Sequence, residues 1–145
     1  MAEAGCHVTV RPVFTPAEVE PVDGSEIPEA VRWAVRFREA ADVFPYATGT
    51  SMTMDLDHCP PYRWAPDGQP AAPGQTGPHT LGPLSRTHHR VVTVGAWQRA
   101  QPDPGTYLWR SPTGRVFVVT NQGTLRLGKT PFSQAIWRRA TADPD

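Results

Sequence analysis

The sequence predicts an α+β fold in one compact unit, and three observations carry that expectation. A length of 145 residues suits a single domain with a modest core. Apolar residues recur at helical spacing in the first two thirds of the chain, and beyond Gly95 the pattern changes to short strands broken by turn sequences. Seventeen prolines, 12 glycines and an apolar fraction of 39% predict long, turn-rich connections.

In order, "VTVRPVF" (8–14) alternates as a strand does, and "TPAEVEPVDGS" (15–25) is a proline-punctuated connection. "IPEAVRWAVRFREA" (27–40) predicts a helix with Pro28 suited to its first turn and Val31, Ala34, Val35 and Arg38 at helical spacing. A short strand is expected to deliver Asp55, Asp57 and His58. Residues 60–79 show almost no periodicity and read as a long loop. "GPLSRTHHRVV" (82–92) resumes helical spacing, with Pro83 at the first position and Leu84, His88, Val91 and Val92 along one stripe. "AWQRAQ", "TYLWR", "RVFVVT" and "TLRLG" are separated by "PDPG", "SPTG" and "NQG", which predicts a small antiparallel meander. Its aromatics Tyr107, Trp109 and Phe117, with Trp97 and Trp137, are assigned to packing. "PFSQAIWRRA" (131–140) closes as a short helix.

No apolar run is long enough to cross a membrane, and "MAEAGCHVTV" lacks the basic head and apolar stretch of a secretory signal, so a cytoplasmic chain without membrane association is expected. Cys6 and Cys59 have no metal-ligand or redox spacing and read as free thiols. Formal net charge is zero, which argues against a protein that coats nucleic acid, but the distribution is uneven. Residues 1–57 hold ten acids against four arginines, whereas residues 58–145 hold nine arginines and Lys129 against four acids. A basic second half hints at a polyanionic partner.

That half begins at "MDLDHCPPY" (54–62), where two carboxylates and a histidine fall within four residues. A hydrolytic metal site needs oxygen or imidazole ligands with open coordination positions and a base close enough to activate water. Adjacent on a strand, Asp57 and His58 point to opposite faces, so one can hold an ion while the other addresses the nucleophile. A histidine from the following helix can complete the site; helical spacing does not choose between His88, on the apolar stripe, and His89, one step round. His7 and His79 read as bystanders.

"DLDHCPPY", the loop containing "PGQT", "LGPLSRTHHR" and "GAWQRAQPDPGTYLWRSPTGRVFVVTNQGTLRLG" together resemble the HNH endonuclease domain found at the C-terminus of many actinobacterial proteins behind a helical domain of unknown function. The similarity runs in order over roughly residues 43–128. It implies a ββα-metal core of the HNH, or His-Me finger, type over residues 43–95, a support segment over 1–42, and the meander with its helix over 96–145. It also implies one divalent ion, magnesium foremost with manganese or another first-row metal as alternatives, and a DNA partner bound with low sequence specificity. By position, His58 matches the general base, Asp57 the acidic metal ligand and His89 the second ligand. Asp55 and His88 are then structural supports of the site.

The chain departs from the family pattern in three places. Thr80 stands where an asparagine usually ties down the loop, and a hydroxyl does not reproduce the paired donor and acceptor of an amide. In the stretch "HHRVVTVGAW" Val92 replaces a lysine and Val94 a further histidine, and no cysteines for a structural zinc occur at the matching positions. Arg86, Arg90, Arg99, Arg110 and Arg115 are the candidate phosphate contacts. The expected function is a metal-dependent endonuclease; the alternative is a degenerate, catalytically impaired module that only binds DNA or a partner.

Overall fold

Helix α1, Glu29–Arg38, is the first helix of the computed structural model, which describes residues 18–142. The strand expected over 8–14, with Cys6 and His7, lies outside the described residues. Pro28 sits just before α1, at its N-cap, and Val31, Ala34 and Val35 form the buried face. Val31 and Val35 pack with Leu56 and Leu81. The charged head of Arg38 leaves that face to donate to the main-chain oxygens of Pro78 and Leu81 and to the Tyr107 hydroxyl.

Strand β1, Asp55–His58, pairs antiparallel with β2, Leu81–Leu84, in the register Asp57 to Gly82 and His58 to Leu81. A single 3-10 turn, Pro78–Thr80, leads into β2. Gly82 is needed there because a Cβ would lie 2.6 Å from Tyr107 Cε1 and 2.9 Å from Val43 Cγ2. Helix α2, Arg86–Val94, follows at once, with the Ser85 hydroxyl accepting from the His88 N–H at its start. The helix expected to begin near residue 82 is therefore corrected: Leu81–Leu84 is a strand, and Leu84 belongs to it rather than to the stripe of His88, Val91 and Val92. Pro83 fits because its missing N–H is no loss on a two-stranded edge, while its carbonyl accepts from Val43 N.

Strands β3 (Gln98–Asp103), β4 (Thr106–Arg110), β5 (Val116–Thr120) and β6 (Gly123–Gly128) form the four-stranded antiparallel meander in sequence order. Helix α3, Pro131–Thr141, starts on a reciprocal cap between Thr130 and Ser133 and lays Trp137 against Ala100, Leu108 and Val116. Tyr107, Trp109 and Phe117 are buried in one cluster with Trp97 and Phe44 packed at its edge, and Trp137 is buried in a separate one. The observed architecture is thus mixed α+β, with three α-helices and two small antiparallel sheets among the described residues. No helix among them is long and apolar enough to cross a membrane.

Glu39, the residue that ends α1, is buried, and burial raises its pKa above the ordinary value against the opposing pull of Arg38. A carboxyl whose folded pKa is raised stabilises the fold when protonated and loses that contribution as pH rises through the carboxylate range. Glu39→Gln is therefore expected to raise the melting temperature by roughly 2–4 °C at pH 7 and to leave it unchanged at pH 3. Thermal denaturation at the two pH values checks this.

Candidate active site

The spacing of Asp55 and Asp57 on β1 puts both carboxylates on one face of the strand, and α2 brings His89 to that face. His89 Nδ1 lies 2.9 Å from Asp55 Oδ2, and His89 Nε2 lies 4.0 Å from Asp57 Oδ1. When Nδ1–H donates to Asp55, the Nε2 lone pair is directed away and is free to bind a cation. Asp55 is thus the group that orients His89. Its other oxygen pairs with the exposed Arg86 at 3.0 Å.

Asp57 is mostly buried and doubly held. Oδ1 accepts from the His58 main-chain N–H at 2.9 Å, and Oδ2 lies 2.6 Å from a guanidinium nitrogen of Arg99. Arg99 comes from β3, across the molecule's other sheet, and its Nε–H also donates to the His58 carbonyl at 2.8 Å. One nearly buried arginine therefore joins the two, holding the His58 backbone by a hydrogen bond and the Asp57 carboxylate by an ion pair in which Oδ2 has no hydrogen-bond partner among the described residues.

His58 turns to the other side of β1. Its Nε2 lies 2.8 Å from the hydroxyl oxygen of Thr76, a fully buried residue held by two main-chain bonds to Val22. Burial, with a smaller push from Arg99, lowers the His58 pKa from its usual 6.5 although Asp57 pulls the other way, so the imidazole is neutral at pH 7. Behind it, Cys59 is sealed in the core and burial pushes its thiol up to about 12, which makes it an inert packing residue.

The remaining predicted residues fall in distinct places. Thr80 stabilises the turn before β2: its hydroxyl donates to Gln75 O at 2.7 Å and accepts from Gly77 N at 3.1 Å. His88 stacks on Phe44 at 4.3 Å and meets the buried Asp42 at 2.6 Å. Val92 is buried in the main apolar cluster. Arg90 is exposed on α2, Arg110 approaches Gln98, and Arg115 bonds the Thr113 hydroxyl. Arg99 differs from these three because its guanidinium is enclosed and committed to Asp57 and His58.

The structure thus brings Asp55, Asp57, His89, Arg86 and Arg99 together and sets His58 beside them on Thr76. Sequence reasoning missed Thr76, Asp42 and the structural part played by Arg99. Thr76 sits in "PGQTG", where two polar residues between glycines are the only local signal. Among the described residues no group of three or more His, Cys, Asp and Glu side chains is placed to hold an ion. The pair Asp57 and His89 offers one oxygen and one nitrogen, with a carboxylate already fixing the imidazole. Two protein ligands suit a divalent ion that completes its shell with water and substrate phosphate. No protein-family model, curated protein or solved structure matches the chain.

Proposed function

We propose that this protein is a metal-dependent endonuclease of the HNH type, acting on DNA with low sequence specificity. The observation that carries the reading is the grip of β1 on His89: Asp55 holds Nδ1 while Asp57 Oδ1 lies 4.0 Å from Nε2. The order β1, β2, α2 is the order a ββα-metal unit requires, and the resemblance of residues 43–128 points the same way.

Asp57 and His89 would hold the ion, whose chemistry when bound is to polarise the scissile phosphate and stabilise charge on the leaving oxygen. Magnesium or manganese suits the carboxylate, and the imidazole favours the transition metal. His58 is the proton acceptor for the attacking water. With Nε2–H donated to Thr76 Oγ1, Nδ1 keeps the lone pair that takes the proton, and the depressed pKa keeps that pair available at neutral pH. Arg99 fixes the backbone of His58 and the carboxylate of Asp57 as a unit. Arg86 and Arg90 on α2 supply positive charge toward the phosphate backbone.

Incubation of purified protein with plasmid and with single-stranded circular DNA tests this. Cleavage is expected with manganese or magnesium, is abolished by EDTA, and falls by about 10²–10⁴-fold in His58→Ala. Cleavage by His58→Ala at the full rate would remove His58 as the base. The second reading, an impaired module that only binds DNA or a partner, draws on one specific observation: the Arg99 cation already sits 2.6 Å from Asp57 Oδ2. It predicts a folded protein that shows no cleavage in either metal.

A further inference from the structure

We propose that Tyr62 and Trp64 form a stacking platform for an unpaired base next to the scissile phosphate, which makes single-stranded nucleic acid the substrate form. This deepens the nuclease reading and rests on it for the identity of the neighbouring phosphate. A line of three rings leads outward from the base: His58 to Tyr62 at 5.3 Å, then Tyr62 to Trp64 at 4.9 Å. The last ring is 59% exposed, although indole is the largest apolar side chain the chain possesses. Tyr62 beneath it is only partly covered.

The segment that displays these rings is fixed. Sequence predicts a featureless loop, yet Trp64 pairs with Pro70 in a local bridge, and Ala65 N donates to Gln69 O at 2.8 Å. The Gln75 side chain clasps the backbone of Arg63 from both sides, accepting from its N–H at 2.9 Å and donating to its carbonyl at 3.0 Å. The Tyr62 hydroxyl donates to the main-chain oxygen of Asp23. An exposed tryptophan on a braced tongue is pre-organised, so it binds a flat partner at little cost in ordering.

The position of the platform selects the partner. A base in a duplex has both faces covered by its neighbours, whereas an unpaired base offers a free face to an aromatic ring. Stacking is indifferent to base identity, in agreement with the low sequence specificity expected of this chain. A nucleotide whose phosphate lies beside His58 has its neighbour's base within reach of a ring two contacts away.

The test measures binding of fluorescein-labelled DNA by anisotropy, in EDTA so that nothing is cut, using a single strand, the same sequence as a duplex, and the single strand with abasic sites. Trp64→Ala is expected to weaken binding of the single strand by about 5- to 100-fold, to leave the duplex unchanged, and to make no difference with the abasic strand. Trp64→Phe should keep most of the affinity. Equal affinity of Trp64→Ala and the parent for the single strand overturns the platform, as does an equal loss for the duplex or the abasic strand. Cleavage of the labelled single strand by the unsubstituted protein in magnesium or manganese is scored separately. Trp64-dependent binding without cleavage would retire the nuclease and keep the platform; cleavage with Trp64-independent binding would do the reverse.

Discussion

Asp57→Ala is expected to abolish cleavage and to destabilise the fold at the same time. On the proposed reading the first effect follows from losing the anionic ligand: several kcal/mol of stabilisation at the phosphate correspond to a fall of about 10³-fold or more in rate. The second follows from Arg99. Its guanidinium is largely enclosed, and the carboxylate 2.6 Å away is its only acidic partner among the described residues. Removing one member of a buried pair leaves an uncompensated charge and costs about 3–5 kcal/mol. The control is Asp57→Ala combined with Arg99→Met, which removes both charges while keeping the length of the side chain. The double variant should regain most of the lost stability and none of the activity. Urea denaturation and plasmid nicking, run on both variants, separate the two roles; equal stability of the single and double variants would show that Arg99 does not depend on Asp57.

Trp109→Ala is expected to cost about 3–5 kcal/mol, the largest effect of any single truncation in the core. Trp109 is fully buried on β4, with Phe44 at 5.3 Å and Trp97 at 6.4 Å. Its cluster includes Cys59 and Leu84, the neighbours of His58 and of the first residue of the α2 cap, so loosening it loosens the site. Trp109→Phe should cost much less. The indole Nε1–H has no acceptor among the described residues, and deleting a buried unpaired donor removes a penalty of about 1–3 kcal/mol that offsets part of the lost packing. Denaturation midpoints of the two variants give the comparison. A Phe variant as unstable as the Ala variant would mean that the indole's shape dominates.

Helix α1, the meander and α3 were legible because each satisfies a local rule over enough residues to be unmistakable. Turn sequences such as "PDPG" bracket β3 and β4, and Thr130 with Pro131 marks the start of α3. β2 was not legible. It is four residues long, contains Gly82 and Pro83, and Leu84 happens to fall four residues before His88, so a chance helical stripe outweighed a weak strand signal. What makes it a strand is tertiary: the register with β1 and the approach of Tyr107 to Gly82. In the site, the opposite faces of Asp57 and His58 were readable from the alternation of a strand. The partner of His58 was not, since Thr76 is placed by a bridge to Val22, far away in the chain. Arg99 looked like a surface cation because sequence carries no sign of which arginines the fold will enclose.

The reach of Arg99 bears on how the protein comes into being. Asp57 and His58 leave the ribosome well before the residue, 41 positions later than His58, that clamps them. Until β3 is in place, the histidine and the carboxylate ride on a four-residue strand without the guanidinium that joins the backbone of one to the side chain of the other. On the proposed reading the site is incomplete through the chain's own synthesis, and its geometry arrives with the closing of the second sheet rather than with the making of the motif.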